Sequence, residues 1–249
     1  MLNIVSFKWT STKNQRFSIP SQNILSYGTE HVEKLYRGLK RNIDEDFEWS
    51  YTLVTDDPED KNKLNPNINC IPLWNYYRDL GGCYTRLYTF SKDMESILGN
   101  RFICLDLDTV IVSNITSLLD KKDSFVYYRA PGADGTGYRL NCGMYMMDAG
   151  ALDFIWKDFI EDTENCILKS RNKYVGTDQA WVNYCLEEKL EAFSYWDIND
   201  GIYDMRQHFL EKNITNLPDN SKIIVWPGPR DPSLLEFNSK FKWLNEHWI

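Results

Sequence analysis

The sequence lacks the residue patterns from which most zinc sites and disulfide frameworks are built. It has only three histidines, and no two of its six cysteines are spaced as a CxxC pair. No Cys/His cluster has zinc-ligand spacing, which excludes the common structural zinc modules. Several cysteines lie inside apolar runs such as RFICLDL and NCGMYMM. We therefore predict reduced core thiols and a cytoplasmic location.

The sequence also lacks an excess of basic residues and any long apolar segment. The net charge is −8 and the isoelectric point is near 5.0, with no run of like charge long enough to form a tail. This balance argues against nucleic acid as a partner, because phosphate binding requires a basic surface. The N-terminal run MLNIVSFKW has no basic start and no long apolar stretch. Neither a signal peptide nor a transmembrane segment is predicted.

Aromatic residues, in contrast, are abundant. They make up 14% of the chain, with nine tryptophans and fifteen tyrosines. Core packing accounts for many of them, and such an excess also suits a site that stacks bases or sugar faces. The length of 249 residues fits one large α/β domain or two intimate lobes, and it is sufficient for a large core.

The pattern of apolar residues predicts alternating strands and helices in the first half of the chain. Short apolar runs predict strands at 2–7, 51–54, 68–73 and 101–105, and helical periodicity predicts helices at 31–39 and 84–98. This alternation favours a mainly parallel, doubly wound sheet. Ligands of such sheets bind beyond the carboxyl ends of the strands, so we expect functional residues just after these apolar runs.

The second half has a different pattern. The runs VIV, FVYY and MYMM predict further strands, and 223–226 predicts a late one. Helices are predicted at 149–160 and 176–188, the second opening with Thr177 and Asp178 as a capping pair.

The sharpest feature is the run FICLDLDTVIV, in which an apolar strand ends in Asp106-Leu107-Asp108. In an extended backbone residues i and i+2 point the same way, so the two carboxylates would stand side by side. Like charges so close repel unless a cation lies between them. Mg²⁺ or Mn²⁺, shared with a diphosphate, is the natural occupant.

Two other interpretations of this motif stay open. The aspartates could be solvated residues at the end of a strand. DLDTV also resembles the first motif of the haloacid dehalogenase-like phosphatases, in which the first Asp is a nucleophile. That motif usually lies near the start of its domain, whereas more than a hundred residues precede it here. A later acidic pair of the GDxxxD type is also absent from the sequence.

The surrounding sequence resembles the family 8 glycosyltransferases. The segment YTRLYTFSKDMESILGNRFICLDLDTVIVSNITSLLD follows their order of Tyr-x-Arg-Leu, helix, strand, Asp-x-Asp, strand and Leu-rich helix. NCGM is similar to the family's Asn-Ser-Gly-Val, TDQAWVN to its Asp-Gln-Asp-x-x-Asn, and IVWPGPRDP to its closing His-x-x-Gly-x-x-Lys-Pro. These blocks occur in family order over residues 84–232. The resemblance implies the α/β nucleotide-sugar transferase fold called GT-A, with a mainly parallel central sheet and flanking helices.

The resemblance also implies roles for individual residues. Asp106 and Asp108 would hold Mn²⁺ or Mg²⁺ on the donor diphosphate, and Arg86 would reach the donor sugar or phosphate. Asp178 and Gln179 would flank the anomeric carbon, with Gln179 a stabiliser rather than a covalent nucleophile, because a neutral amide is a poor nucleophile. We expect further donor contacts from Asn141, Gly143, Gly228, Arg230 and Trp9.

Each of these assignments has a plainer alternative. Arg86 could simply pair with a carboxylate, Asp178 could only cap a helix, and Asn141 could satisfy a strand end. Trp9 could pack in the core rather than stack on a base. We interpret His208 as structural.

The chain also departs from the family pattern. Val225 stands where the family has a metal-binding His, and Asp231 stands where it has a phosphate-binding Lys, with Arg230 beside it. The third protein ligand of the metal is therefore missing. Asp56 or Asp57 is a candidate contact to the base or ribose.

From these features we expect a cytoplasmic, metal-dependent hexosyltransferase in one domain over 1–249. Residues 1–112 would bind the nucleotide, and 113–249 the sugar and acceptor. It would transfer a hexose from a nucleotide sugar, UDP-linked by resemblance, to a carbohydrate or glycoconjugate with retention of configuration. A non-catalytic nucleotide-sugar binder is the alternative from another class, since Val225 and Asp231 break the family pattern.

Overall fold

The computed structural model describes residues 1–10, 27–131, 139–228 and 230–249 of the chain. Within these residues the chain forms a seven-stranded sheet, a separate three-stranded sheet and flanking helices. No helix in the described ranges combines the length and apolar character needed to cross a membrane.

The strands of the seven-stranded sheet are β1 (Leu2–Lys8), β2 (Trp49–Thr55), β3 (Ile68–Pro72), β4 (Arg101–Leu105), β6 (Phe125–Arg129), β7 (Leu140–Asp148) and β8 (Ser194–Trp196). They lie in the order β3-β2-β1-β4-β7-β6-β8. The first four strands in this order are mutually parallel, β7 is antiparallel to both neighbours, and β6 pairs in parallel with β8. The mainly parallel sheet predicted from the sequence is therefore confirmed.

A smaller sheet lies beyond the carboxyl end of β4. Its order is β5-β10-β9, with β5 (Val110–Ile111) antiparallel to β10 (Ile223–Val225) and β10 parallel to β9 (Ile202–Asp204). Since only Thr109 separates Asp108 from β5, the pairing brings the late 223–226 segment next to the Asp106-Leu107-Asp108 motif.

The helices cover both faces of the large sheet. Alternate residues of β1 show this, because Ile4 packs in a cluster with Leu35 of the first helix, whereas Val5 packs on the opposite side with Leu87 and Phe159. The helices are α1 (Thr29–Asn42), α2 (Asp60–Lys63), α3 (Met94–Leu98), α4 (Thr116–Leu119), α5 (Asp153–Glu161), α6 (Thr163–Arg171), α7 (Asp178–Leu186), α8 (Leu235–Lys240) and α9 (Leu244–His247).

The helix predicted over 84–98 is wrong as one continuous element. Tyr84–Phe90 is a 3₁₀ helix, Ser91 is extended, and only α3 is α-helical. Six of the seven side chains of the 3₁₀ segment are buried, so packing from several sides overrides its helical periodicity. The Thr89 hydroxyl also donates to the Arg86 carbonyl at 2.7 Å, which competes with regular helical bonding.

Candidate functional site

The Asp106-Leu107-Asp108 motif lies at the carboxyl edge of the sheet, as its sequence predicts, but its backbone is a turn. The Asp106 amide donates to the Gly143 carbonyl at 2.9 Å, and the Thr109 amide donates to the Asp106 carbonyl at 3.1 Å. The predicted extended geometry is therefore wrong, because the chain reverses here to enter β5. The carboxylates stay close: burial raises the pKa of Asp108 well above its usual range, and the Asp106 charge raises it further.

Arg86 joins this motif to the start of α7. Its Nη1 donates to Asp106 Oδ1 at 2.5 Å, while Nε and Nη2 lie 2.9 Å and 2.7 Å from Asp178 Oδ2. Burial alone would lower the pKa of Arg86, but the two carboxylates outweigh it and hold that pKa well above its usual range. The predicted alternative, pairing with a carboxylate, is thus observed, and both partners are themselves candidate site residues.

Asp178 is held in place by its neighbour rather than by a helix-capping bond. The Thr177 hydroxyl accepts from the Cys83 amide at 3.0 Å and donates to Asp178 Oδ1 at 3.2 Å. No side-chain cap closes the start of α7, so the predicted capping pair is wrong. Asp178 is 5% exposed, and its charge is directed to Arg86 instead of to the helix amides.

Two amide side chains of α7 bond to β7, and a third bonds within β7. The Asn141 side-chain oxygen accepts from the Gly143 amide at 2.7 Å, and Gln179 Oε1 accepts from the Cys142 amide at 3.0 Å. Asn183 accepts from the Leu140 amide and donates to its carbonyl, which anchors the start of β7. A Cβ at Gly143 would lie 2.7 Å from Asp106 Oδ2. Glycine is therefore needed for β7 to pass so close to the carboxylate.

Trp9, which follows β1, borders a cavity near the carboxyl ends of β1 and β2. The cavity has a volume of about 330 Å³ and is lined by residues that include Trp9, Tyr77, Arg78 and Gly82. Asp56 lies beside it, because its carboxylate accepts from the Thr10 amide at 3.0 Å and from Arg78 at 2.6 Å. The structure therefore places Trp9 and Asp56 near each other, and Asp57 farther out on Lys63.

The segment that follows β10, called the closing loop below, begins next to the acidic motif. β10 pairs Ile224 with Val110, so continuing that register by one residue sets Val225 opposite Thr109. Gly228 has a positive φ of 74°, a conformation that glycine adopts without steric cost. The Arg230 side chain donates to the Pro227 carbonyl at 2.9 Å. Pro229 lies outside the described residues.

Sequence reasoning did not identify Tyr27 and His31 as site residues. The Tyr27 hydroxyl donates to Asp108 Oδ2 at 2.5 Å, and His31 Nε2 lies 3.0 Å from Asp231 Oδ2. The rings of Tyr27 and His31 are in edge contact, with centroids 5.0 Å apart. Neither residue belongs to a recognisable motif, so only the tertiary structure reveals them. His208 lies elsewhere, where its Nδ1 accepts from the Asp204 amide.

The six cysteines agree with the prediction of reduced thiols. All six are unpaired, three of them buried and three partly buried.

No protein-family model and no curated protein sequence matches the chain. Solved structures do match it. The galactosyltransferase LgtC, in complex with donor and acceptor sugar analogues, aligns over 100% of this chain and 97% of its own with a TM-score of 0.59 at 12% identity. The chain has a glycosyltransferase fold.

Two further structures support this glycosyltransferase fold. An active-site mutant of LgtC, with glutamate in place of a glutamine, aligns with the same TM-score and identity. The glycosyltransferase GlyE of Streptococcus pneumoniae TIGR4 aligns with a TM-score of 0.63 at 12% identity, over 97% of this chain and 59% of GlyE. The GT-A architecture implied by the sequence resemblance is therefore confirmed.

Proposed function

We propose that the chain is a metal-dependent glycosyltransferase that moves a hexose from a UDP-sugar to a carbohydrate or glycoconjugate acceptor. One observation carries the proposal. In a glycosyltransferase fold, Arg86 gathers Asp106 and Asp178 at the carboxyl edge of the sheet, beside Asp108 and Gly143. Nucleotide ligands of open α/β sheets bind at this edge.

The acidic motif fits a divalent cation. Asp108 is 5% exposed, and of the residues that the structure describes no Lys or Arg pairs with it. A buried carboxylate without a cationic partner is costly, and carboxylate oxygens are the ligands that Mg²⁺ and Mn²⁺ prefer. When bound at Asp106 and Asp108, such an ion would serve as a Lewis acid toward the leaving diphosphate.

The remaining candidates divide into donor and reaction contacts. Arg86 provides a fixed positive charge that does not reorganise when negative charge develops on the diphosphate. Asn141 would hydrogen-bond to the donor sugar, the loop of Gly228 and Arg230 would contact the diphosphate, and Trp9 would stack on the base. Asp178 and Gln179 would face the anomeric carbon, and the glutamine-to-glutamate active-site mutant of LgtC makes Gln179 the first of them to test.

The overall arrangement follows from these roles. We propose that residues 1–112 supply most nucleotide contacts and residues 113–249 most sugar and acceptor contacts, with retention of configuration. The unpaired thiols support a reducing compartment such as the cytoplasm.

The experiment that tests the proposal is a thermal-shift screen of UDP-sugars with Mn²⁺ or with EDTA, followed by donor-hydrolysis assays on the hits. A donor at about 100-fold its Kd should add ~2.7 kcal/mol to the free energy of unfolding. Asp106→Asn and Asp108→Asn should lose Mn²⁺-dependent turnover, whereas Asp219→Asn, an exposed aspartate in a turn, should not. Full turnover of both site variants in EDTA would remove the metal from the proposal.

A non-catalytic nucleotide-sugar binder is the second candidate, and Val225 and Asp231 favour it because they replace two of the family's ligand-binding residues. The same screen distinguishes the enzyme from the non-catalytic binder. Stabilisation by a UDP-sugar without hydrolysis or transfer to any sugar acceptor tested would support the binder.

A further inference from the structure

A chain of contacts connects the acidic motif to the closing loop through the start of α1. Asp108 accepts from the Tyr27 hydroxyl, the Tyr27 ring contacts the His31 ring, and His31 Nε2 contacts Asp231 Oδ2. Asp231 Oδ1 also accepts from the Ser233 amide at 2.7 Å. Both Asp231 oxygens are therefore oriented, and the side chain is only 13% exposed.

This arrangement connects an oriented negative charge to the acidic motif through the contacting rings of Tyr27 and His31. A third carboxylate at this place has no evident benefit for an empty site, because like charges in a partly buried cluster repel. A third carboxylate becomes favourable when a cation is present. By family resemblance a histidine would complete the cation site, but this chain has Val225 at that position.

We propose that Asp231, oriented by His31 and Ser233, is the third carboxylate of the cation site and contacts the ion through a coordinated water. The inference rests on the proposed function, since the cation is that of the donor diphosphate. It assigns a contact that neither the acidic motif nor the resemblance supplies, because the resemblance puts a lysine at this position.

A contact from Asp231 to the ion through a water molecule agrees with the spacing of the acidic side chains. Among the described residues, no three His, Cys, Asp or Glu side chains converge closely enough to hold an ion directly. Mg²⁺ dehydrates reluctantly and keeps several waters when carboxylates and phosphates bind it. Hydrogen-bonding partners in the outer shell of a metal site typically account for about 10–100-fold in metal affinity.

If Asp231 acts through its charge, removing that charge should weaken the binding of Mn²⁺ but strengthen the binding of UDP when no metal is present. With UDP present, Asp231→Asn should weaken Mn²⁺ binding about 10–100-fold, measured from the free Mn²⁺ signal in electron paramagnetic resonance. In EDTA the same variant should bind UDP roughly two- to fivefold tighter, because a negative charge near the diphosphate is removed. A substitution that merely disrupted the loop would weaken the binding of both Mn²⁺ and UDP.

Three further proteins complete the experiment. Asp231→Glu keeps the charge and should bind Mn²⁺ better than Asp231→Asn, which keeps the test valid if the asparagine variant folds poorly. Asp231→Lys should bind UDP tightest in EDTA and bind Mn²⁺ weakest. Asp219→Asn should match the wild type in both titrations.

The outcomes separate the two proposals. Unchanged Mn²⁺ affinity in Asp231→Asn, with tight Mn²⁺ binding by the wild type, would overturn this inference alone. Failure of the wild type to bind Mn²⁺ in the presence of UDP would overturn the metal-dependent function as well.

Discussion

Arg86 bonds to two carboxylates from distant parts of the chain, Asp106 at 2.5 Å and Asp178 at 2.7 Å. Asp178 and Arg86 are 7% and 11% exposed at their side chains, while Asp106 is 42% exposed. The guanidinium therefore has one buried partner and one that is partly exposed to solvent. This asymmetry suggests a structural role on the Asp178 side and a ligand-directed role on the Asp106 side.

Arg86→Met should lower the free energy of unfolding by about 3–5 kcal/mol, because it leaves the buried Asp178 carboxylate without its cation. Arg86→Lys should lose less stability, since it keeps the charge, but it should still weaken donor binding because an ammonium cannot reproduce the planar fork of N–H donors that Arg86 directs at both carboxylates. Urea denaturation and UDP titration measure the two effects. Lys122→Met, which breaks an exposed pair with Asp120, should change neither. Equal, small losses in all three variants would mean that the buried pair contributes little.

Asp108→Asn should stabilise the ligand-free protein by about 0.5–2 kcal/mol, as often happens when a functional charge is removed. Because the pKa of Asp108 is raised in the folded state, folding favours the protonated form. Its destabilising effect is absent below the unfolded pKa, grows as pH rises above that value and is complete once pH exceeds the folded pKa. The stability difference between variant and wild type should therefore grow as pH rises above about 4, the ordinary pKa of an aspartate.

Urea denaturation at several pH values tests this, with Asp219→Asn as the control. A stability difference that shrinks as pH rises would contradict the assignment of a buried, charged Asp108. With Mn²⁺ and UDP added, the order should reverse, because only the wild type gains the energy of ligand binding.

Gly143→Ala should disturb the site while leaving the fold intact. Its Cβ would lie 2.7 Å from Asp106 Oδ2 and 2.9 Å from Asn141 Oδ1, so the carboxylate must move. Mn²⁺ affinity with UDP present should fall about tenfold or more, as it does when supporting groups of metal sites are displaced. Gly38→Ala is the matched control, since its Cβ would meet Ile111 at an ordinary 3.5 Å. Equal metal binding by both variants would show that Asp106 is free to shift.

Much of this architecture follows from the sequence, because short-range patterns determine it. Apolar runs gave the strands of the parallel half, and the position of Asp106 directly after β4 put it at the ligand-binding edge. Asp178 and Arg86 were candidates only through resemblance, and the structure brings them together. The predictions that were wrong concern local geometry. Packing prevents one continuous helix over 84–98, and the Asp106-Leu107-Asp108 backbone forms a turn instead of an extended strand end.

The contacts around His31 could not be predicted in this way. His31 and Asp231 are 200 residues apart in sequence, and no periodicity or motif connects them. Tyr27 reaches Asp108 over 81 residues from the residues just before α1. Such pairs are fixed by the packing of α1 against the sheet and of the closing loop against α1, which are properties of the whole fold.

Gln179→Ala should reduce turnover about tenfold or more with a smaller effect on donor affinity, if the side chain acts in the transition state. The structure adds a complication, because Gln179 also accepts from the Cys142 amide and its loss leaves that donor unpaired. Gln179→Glu separates the two roles, since it keeps an acceptor for that amide. A variant with normal melting temperature and altered turnover indicates a role in the reaction. Normal turnover in both variants would remove Gln179 from the site.

Val225→His restores the imidazole that the family resemblance expects next to the acidic motif. Because Ile224 pairs with Val110, the new side chain would stand close to Thr109 and Asp108. Val225 is 6% exposed and packs in the apolar core, so the substitution should lower stability by about 1–3 kcal/mol. It should also tighten Mn²⁺ binding when UDP is present, since it adds a third protein ligand to the two carboxylates and the diphosphate.

Ile223→His is the matched control, because residue 223 is also buried but pairs with Ile111, farther from Asp108. Both variants should lose stability in urea, and only Val225→His should gain Mn²⁺ affinity by calorimetric titration. A gain in neither variant, with wild-type binding intact, would mean that β10 does not present residue 225 to the ion, and the alignment of the closing loop would then have to shift.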